Sequence, residues 1–332
     1  MNTNCPVCGN NSVKLVKASD HHYGNKGEWT FDRCTNPDCT HIFQNPILNN
    51  EEVSGFYPQD YYAFGPSHKY QFTGYFSKQP RLYLLFCYFK YYRNYQHLNV
   101  PHNFFLASVG KLFIKKTLNI ESPFYVKDGA AVDFGSGSGD FVNYLEILGW
   151  NSCGIEISAK ASEQGQKAGL KILNGSSELL DDFKDHFNFV HSSHSLEHVP
   201  DARNVVHKIF SSLKKDGIIA IDVPNGDSLA FSIYKSSYFY LGAPVHINIF
   251  TVRSMRKLLS ETGFKKIRIK TYSVWHSQAR SVASMLFNPD SDYNFFQYKG
   301  PKLWIGYLLS FPGYCFSMIG RKGDCLVVTA VK

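Results

Sequence analysis

The sequence has little of what marks a nucleic-acid-binding or exported protein. Its 35 Lys and Arg residues give a formal charge of +8, but they form no run of five or more and no clustered basic face. We therefore expect a mild attraction to anionic partners and no nucleic-acid binding. The first residues have neither the apolar core nor the cleavage site of a signal peptide, which predicts a cytoplasmic location.

Apolar segments long enough to cross a membrane are also missing. The stretch from Leu303 to Ile319 has no charge, but it is short, and Gly306, Pro312 and Gly313 are predicted to break it. No transmembrane helix is predicted. Residues 70–120, rich in Tyr, Phe and Leu, indicate a helical cap that packs on the core, lines an acceptor site or rests on a membrane surface. Peripheral membrane contact therefore stays open.

Cysteines are few outside the first 39 residues, where four of the eight form a C-x2-C pair and a C-x4-C pair. Two such pairs can supply the closed tetrahedral sulfur shell that structural zinc prefers, with disulfides as the competing account. This spacing predicts a zinc ribbon over residues 1–48, and the nearby His22 and His41 are predicted to be solvated. The predicted zinc ligands are Cys5, Cys8, Cys34 and Cys39.

The stretch from 130 to 156 is the most informative part of the sequence about function, and it lacks the third glycine of a dinucleotide-binding turn. An apolar run from Ala130 to Phe134, typical of a buried strand, is followed by Gly135, Gly137 and Gly139 and then by a helical pattern. Asp140 stands where a G-x-G-x-x-G turn has its last glycine. The glycines allow the backbone to approach a ligand closely, and the helix that follows turns its free amides toward that ligand.

An acid at the end of the next strand extends this pattern. Glu156 ends the run 152–156, where a carboxylate can accept hydrogen bonds from a ribose diol. With Asp133 before the first glycine, the stretch resembles the first motif of class I S-adenosylmethionine-dependent methyltransferases. The resemblance covers about residues 125–332. It implies an α/β fold with a doubly wound, seven-stranded Rossmann-like sheet.

The resemblance also implies which residues bind S-adenosylmethionine. They are the glycine turn, the two strand-end acids, a serine near the adenine and the loop after the fourth strand. Asn188 departs from the family, which usually has an acid at the entry of that strand. In chain order the implied cofactor residues are Asp133, Gly135, Ser136, Gly137, Gly139, Glu156, Ile157, Ser177, His194 and Ser195.

Beyond Glu156, alternating strands and helices predict a mostly parallel sheet covered on both faces. Ser158, Asp201 and Thr251 are predicted to begin helices, the last of them ending at Gly263. The predicted strands lie at 171–174, 187–192, 218–223, 264–271 and 325–331, and the predicted helices at 158–168, 201–213 and 251–262.

Two histidine segments carry the predicted chemistry. The range 196–199 matches the family's Leu-Glu-His-Val signature, and the range 246–251 matches its His-x-x-x-Phe-Thr pattern. Methyl transfer requires positioning of donor and acceptor and often removal of the acceptor's proton. The catalytic candidates are His198 as general base, His246 as a second base or acceptor ligand, and Glu197. Bracing of the next helix is the alternative for Glu197 and His198, and a hydrogen bond to a loop carbonyl is the alternative for His246.

Nearby aromatic and histidine side chains have two interpretations each. The tyrosines predicted to line the acceptor pocket, or otherwise to pack, are Tyr61, Tyr62 and Tyr240. His191, His194 and His198 would share a face in a helix, as metal ligands do. However, His191 is predicted to belong to a strand and to point elsewhere.

The predicted organisation is a ribbon over 1–48, a linker and helical cap over 49–124, and a methyltransferase core over 125–332 with an insertion at about 273–322. A cysteine ribbon and a Tyr-Tyr segment before the core resemble a bacterial subgroup that modifies sugars or cell-surface glycans. We therefore expect methyl transfer to a small-molecule or glycan acceptor. The alternatives are a quinone or lipid O-methyltransferase and a non-catalytic adaptor.

Overall fold

The structure is a computed structural model that describes residues 4–58, 126–287, 295–320 and 322–332. Tyr61, Tyr62 and the aromatic-rich segment 70–120 lie outside the described residues. The chain divides into two compact units. The first unit comprises residues 1–59, 193–207 and 221–328, and the second comprises residues 60–192, 208–220 and 329–332.

The described residues form strands and helices that alternate along most of the chain. The strands are β1 (Ser12–Ala18), β2 (Trp29–Cys34), β3 (Ile42–Gln44), β4 (Ala130–Phe134), β5 (Asn151–Glu156), β6 (Ile172–Asn174), β7 (Phe187–Ser193), β8 (Leu213–Pro224), β9 (Asn248–Ile249), β10 (Lys265–Tyr272) and β11 (Cys325–Val331). The helices are α1 (Asn50–Gly55), α2 (Asp140–Ile147), α3 (Ala159–Lys167), α4 (Ala202–Ser212), α5 (Leu229–Tyr234), α6 (Val252–Thr262), α7 (Trp275–Phe287) and α8 (Gly300–Ile319).

A seven-stranded sheet runs in the order β10-β11-β8-β7-β4-β5-β6. Strand β4 pairs in parallel with β5 and with β7, and β5 pairs in parallel with β6. Every residue of β4 is buried, which is typical of a parallel strand covered on both faces. The predicted α/β fold with a seven-stranded Rossmann-like sheet is therefore confirmed.

Predicted helix ends match the structure closely. The Ser158 side chain accepts a hydrogen bond from the Ala161 amide at the start of α3. Thr251 and Ser254 form a capping box at the start of α6, and Gly263 ends that helix in a left-handed conformation. The largest difference is at β8, which begins at Leu213, five residues before the predicted start at 218 and at the residue where the preceding helix was predicted to end.

The predicted breaks in the segment 303–319 were wrong, because α8 runs continuously through Pro312. Gly306 is a packing position in this helix. A Cβ atom built there would lie 2.2 Å from the Ala279 carbonyl oxygen, so the glycine allows close approach to α7. Within the described ranges, no helix combines the length and apolar character that crossing a bilayer requires.

The N-terminal strands form a second sheet, in the order β1-β2-β3-β9, within the first unit. Its fourth strand comes from a distant part of the chain. Ile42 pairs with Ile249 and Phe43 pairs with Asn248, in antiparallel orientation. The core on this sheet is shared in the same way, since Phe31 and Ile42 pack with Ile249 and with residues of α5 and α7. The N-terminal strands, one of which ends at Cys34, are thus packed into a larger unit.

A buried carboxylate ties β11 to the start of α7 in the first unit. Asp324 is fully buried, and its Oδ2 accepts hydrogen bonds from the Val274 amide at 2.8 Å and from Gln278 Nε2 at 3.0 Å. Burial raises the pKa of Asp324 to about 6, although these two donors oppose the shift. The folded chain therefore holds a proton on this carboxyl group at a pH where the unfolded chain has lost it.

This difference predicts a pH-dependent effect of Asp324→Asn. Between pH 4 and 6 the folded state binds more protons at Asp324 than the unfolded state, so the wild type loses stability as the pH rises. A shift from 3.8 to about 6 corresponds to about 3 kcal/mol. Urea unfolding at pH 4 and pH 7 should show the stability of the variant, relative to that of the wild type, rising by most of that amount. A pH-independent difference would contradict the assignment.

Candidate functional site

The glycine turn between β4 and α2 lies in the second unit and is built on left-handed backbone. Gly135, Gly137 and Gly139 have φ angles of 77°, 53° and 90°, which side chains with a Cβ rarely adopt. The Glu156 carboxylate holds the turn from the end of β5. Its Oε2 accepts from the Gly137 amide and its Oε1 accepts from the Ser158 amide, both at 2.8 Å.

Ser136 contributes its backbone to this turn, while its side chain points toward β5. A Cβ atom built on Gly154 would lie 2.3 Å from Ser136 Oγ. That hydroxyl oxygen is buried and has no hydrogen-bond partner in the described part of the chain. The amides of Gly135 and Ser136 both donate to the Ile155 carbonyl. The turn is therefore fixed to β5 at its start.

The residues of the turn fit the cofactor that the sequence implies. Gly139 caps the eight-residue helix α2, whose first-turn amides point out of the helix. A Cβ atom on Gly139 would lie 2.8 Å from side-chain atoms of both Leu170 and Ile172. Burial raises the pKa of Glu156, and the amides of Ser158 and Gly137 oppose that shift. A close-lying backbone beside a strand-end carboxylate suits a nucleoside with a ribose diol.

Asp133 is engaged within the sheet. It is buried on β4 beside its register partner His191 on β7, and its Oδ1 lies 2.7 Å from His191 Nδ1. The His191 ring stacks on Phe141, with ring centroids 3.7 Å apart. His191 thus belongs to a strand, as predicted. These contacts do not support the metal site suggested by the spacing of His191, His194 and His198.

Two imidazoles meet in the first unit, and each is oriented by a backbone carbonyl. His198 Nδ1 lies 2.9 Å from the Val245 oxygen and also 2.9 Å from Tyr57 Oη. His246 Nδ1 lies 2.9 Å from the Tyr240 oxygen. Because a carbonyl only accepts hydrogen bonds, each Nδ1 carries the proton, and a neutral ring keeps its lone pair on Nε2. The ring centroids are 4.7 Å apart.

The segments that carry these histidines are tied together by their backbones. The Ile247 amide donates to the Glu197 carbonyl at 2.7 Å. The Asn248 side chain donates to the Val199 carbonyl, also at 2.7 Å. The other end of the Asn248 amide, Oδ1, lies 3.0 Å from Nε2 of the fully buried His41. The prediction that His41 is solvated was therefore wrong, since it helps to fix the strand next to His246.

Glu197 lies fully buried in the same cluster. Its Oε1 is 3.0 Å from His194 Nδ1, whereas its Oε2 has no hydrogen-bond partner among the described residues. Burial opposes ionisation of Glu197, but the hydrogen bond from His194 lowers its pKa to about 2. Burial likewise opposes protonation of His194, but Glu197 raises its pKa to about 9. The two side chains therefore form an ion pair.

The other two histidines stay uncharged near neutral pH. Burial lowers the pKa of His198, against the attraction of Glu197. Burial, followed by the neighbouring His198, lowers the pKa of His246 to about 3. Tyr240 adjoins this cluster, because its ring is nearly parallel to that of His194 at 6.0 Å. The cluster thus offers uncharged nitrogen lone pairs beside a buried carboxylate.

The four N-terminal cysteines converge in the first unit, with all sulfur atoms within 4.8 Å of one another. The Sγ atoms of Cys5 and Cys39 are 3.8 Å apart, and those of Cys8 and Cys34 are 3.4 Å apart. All four thiols are free. Zinc–sulfur bonds of about 2.3 Å in a tetrahedron place sulfur atoms about 3.8 Å apart. The donor set therefore fits one tetrahedral zinc ion.

Part of the chain, including the glycine turn, matches a known protein family. Residues 111–269 match a family model described as a methyltransferase domain. The chain is thus similar to methyltransferases over 159 of its 332 residues, just under half of its length. The predicted enzyme class, a methyltransferase, is confirmed at the level of this domain.

Similar proteins are found in several organisms. An uncharacterized protein of Methanocaldococcus jannaschii, MJ1123, is 25% identical over 148 residues, which are 43% of this chain and 68% of that protein. A SAM dependent methyltransferase from Archaeoglobus fulgidus is 17% identical, with a TM-score of 0.46, over 68% of this chain and 94% of that one. A Thermotoga maritima protein described as a possible histamine N-methyltransferase is 18% identical, with a TM-score of 0.43, over 75% and 99%. The assignment rests on the family model.

The residues predicted to bind the cofactor and to act in catalysis are divided between the two compact units. The turn residues and Glu156 lie together in the second unit, where Ile157 is exposed and Ser177 is buried. His194 and Ser195 belong to the first unit, as do the three catalytic candidates and Tyr240. Their roles in binding and catalysis stay predictions.

Sequence reasoning missed several of the contacts around the methyltransferase's histidines. The hydroxyl of Tyr57 lies beside His198. Tyr57 belongs to the same tyrosine-rich segment as Tyr61 and Tyr62, but only those two were predicted to line the acceptor pocket. The Tyr240 carbonyl matches the hydrogen bond predicted as the alternative for His246, whereas nothing in the sequence indicates that the Val245 carbonyl orients His198. Of these contacts, the sequence could have indicated Tyr57, because it is a tyrosine close to the predicted pair Tyr61 and Tyr62.

Proposed function

We propose that this methyltransferase transfers a methyl group to a hydroxyl group of a sugar or nucleotide sugar. The observation that carries the proposal is the cluster of His198 and His246 beside the buried Glu197. Both imidazoles have their Nδ1 atoms committed to backbone carbonyls. Lone pairs fixed in this way suit an acceptor that must lose a proton as it reacts.

When bound, S-adenosylmethionine supplies a methyl group on a sulfonium sulfur, which leaves as a neutral thioether. The chain's own residues do the positioning. The Glu156 carboxylate would accept from the ribose hydroxyls while it holds the Gly137 and Ser158 amides. The left-handed glycines let the backbone lie close beneath the cofactor. Positioning of this kind supplies the larger part of the rate enhancement.

The histidine cluster can remove the acceptor's proton in either of two ways. In the direct form, Nε2 of His198 accepts the proton from the hydroxyl group. In the indirect form, the cluster would bind a cation that makes a coordinated hydroxyl group more acidic, and the hydroxyl proton would pass to solvent water. Both forms use the same lone pairs, and they differ in whether a divalent cation is needed.

We also propose that the four cysteines hold a structural zinc ion. With all four positions taken by thiolates, no coordination site stays open for a catalytic water. The Thr251 hydroxyl donates to the Cys39 carbonyl at 2.9 Å, and Arg253 donates to the Pro37 carbonyl at 3.0 Å. The metal would therefore also stabilise the contacts that the knuckles make with the start of α6.

Acceptor screening tests the proposed function. Purified, zinc-loaded protein is incubated with methyl-labelled S-adenosylmethionine and three acceptor sets: nucleoside-diphosphate hexoses, dihydroxylated quinones, and phospholipid vesicles. We expect label on the sugar set, with one S-adenosylhomocysteine released per methyl group transferred. Label confined to the quinones or to the lipids would contradict the sugar proposal.

His198→Ala is expected to lower turnover about 10²- to 10⁴-fold, which is the usual contribution of a positioned general base. The loss should appear in kcat at saturating acceptor. Cofactor affinity, measured by calorimetry with S-adenosylhomocysteine, should stay unchanged. Full turnover by a variant that melts like the wild type would remove His198 from the mechanism, and bracing of the helix would remain its role.

A lipid or quinone acceptor is the second candidate, and one observation favours it. Helix α8 exposes a series of large apolar side chains, with exposed fractions of 72% for Trp304, 73% for Leu308 and 80% for Ile319. Exposed apolar groups of this size are uncommon unless they contact an apolar partner. The same three acceptor sets separate this candidate from the sugar proposal.

A further inference from the structure

Glu197, His198 and His246 converge on one point of the first unit. Each residue has a ligand-type atom, and the three atoms all lie within 4.8 Å of one another. The two segments that carry these residues are joined by the Ile247 amide bond to the Glu197 carbonyl and by the His198 bond to the Val245 carbonyl. The backbone therefore holds the three side chains together before any ligand arrives.

The hydrogen bonds around this set resemble those of a metal centre. Metal-binding histidines usually donate their other ring N–H to a carbonyl or carboxylate, which fixes the tautomer and aims the free nitrogen. His198 and His246 both do so, through the oxygens of Val245 and Tyr240. Nε2 is then the nitrogen left for a ligand in each ring.

The carboxylate supplies an independent observation. The Glu197 side chain is fully buried, and its Oε2 has no hydrogen-bond partner in the described residues. A buried charged oxygen without a partner is costly, so such an atom calls for a ligand. Its Oε1 is held by His194, the kind of outer contact that orients a ligating carboxylate. A bound cation would satisfy the free oxygen.

We propose that Glu197, His198 and His246 bind one divalent cation. Two imidazoles and one carboxylate suit manganese, iron or zinc, and three protein ligands leave coordination positions open. The open positions fit hydroxyl oxygens of the acceptor, whose acidity a cation increases. This role at the acceptor rests on the proposed function, whereas the binding of the cation does not.

Manganese is the sharpest probe, because the thiolates of the cysteine cluster disfavour it. The zinc-loaded full-length protein is freed of other cations and titrated with Mn²⁺, and bound metal is followed by electron paramagnetic resonance. We expect one Mn²⁺ per chain. Pulsed measurements on the wild type should show nitrogen couplings from two imidazoles, a readout that needs no variant.

Variants locate the bound metal. Glu197→Gln and His246→Gln should each weaken Mn²⁺ binding by at least about 10- to 100-fold. His207→Gln, which removes an exposed imidazole on α4, should leave binding unchanged. Equal binding by all four proteins, absence of nitrogen coupling, or no bound Mn²⁺ in the wild type would each overturn the site.

The outcomes separate this inference from the proposed function. Gly137→Val should lose turnover through the cofactor site and still bind Mn²⁺. A wild type that binds one Mn²⁺ with two imidazoles but methylates no sugar would contradict the proposed function and support the cation site. Methyl transfer to a sugar by a protein that binds no Mn²⁺ would support the proposed function and contradict the cation site. It would also favour His198 as a direct base.

Discussion

Gly137→Val should abolish detectable binding of S-adenosylhomocysteine, with a loss of at least about 100-fold. Gly137 has a φ of 53°, and its amide donates to Glu156 at 2.8 Å. A β-branched side chain there pays roughly 1–3 kcal/mol of backbone strain. It also places two methyl groups where the cofactor must approach the backbone. Calorimetric titration measures the loss, with NAD as the ligand control.

Gly169→Val is the matched control for this experiment. Gly169 also lies in the second unit and has a positive φ, 79°, but a Cβ atom built there has nothing within 4 Å. The control therefore carries similar backbone strain away from the turn, and its cofactor affinity should stay within about threefold of the wild type. Equal affinities of all three proteins would remove the turn from cofactor binding, and preference for NAD would contradict the cofactor class.

Loss of the metal from the cysteines is the second large effect. The purified chain should contain one zinc ion, and Cys39→Ser should lose it. Structural zinc contributes on the order of 10 kcal/mol to the folding of small cysteine modules. Because β2 and β3 contribute Phe31 and Ile42 to a shared core, we expect the variant to destabilise the first unit. Elemental analysis and thermal melts measure the two quantities.

Cys315→Ser controls for the loss of a thiol as such, because Cys315 is a half-buried free cysteine of α8 outside the cluster. It should keep one zinc ion and the wild-type melting temperature. A wild type without zinc, in which denaturing mass spectrometry finds two disulfides, would refute the metal assignment. Retention of zinc by Cys39→Ser together with an unchanged melt would show that Cys39 is not a ligand.

The parts of the fold that were predictable from sequence depend on local physics. The strand before the glycine turn was found because its apolar run and the left-handed glycines lie next to each other. Helix α6 was found because Thr251 and Gly263 cap it from its own ends. Caps and turns involve residues a few positions apart, so their signals survive without knowledge of the tertiary structure.

The errors arose where distant segments meet. His41 looks like a loop histidine, yet it is buried, and its ring donates a hydrogen bond to the amide oxygen of Asn248, 207 positions away. Gly306 and Pro312 look like helix breakers, but contact with Ala279 on α7 makes the glycine useful inside α8. Local propensity cannot report such contacts, because tertiary packing overrides it.

The candidate site shows the same division. The segments 196–199 and 246–251 were each recognised from their own residues, and both supply the histidine cluster. Their convergence depends on backbone carbonyls and on the pairing of β3 with β9, which leave no periodic pattern in the sequence. The identity of the candidate residues was therefore predictable, as was a carbonyl partner for His246, but the contacts of His198 and Glu197 were not.

The pairing of β3 with β9 has a consequence for how this chain is made. Synthesis from the N-terminus delivers β1, β2 and β3 first, while the partner of Phe43 is Asn248. Until that partner emerges from the ribosome, β3 presents an unsatisfied sheet edge, which is a template for aggregation. We therefore expect that the cysteine segment does not fold independently of the rest of the chain. A fragment that stops before β9 should be insoluble even when supplied with zinc, and the N-terminal module should mature only after most of the chain has been translated.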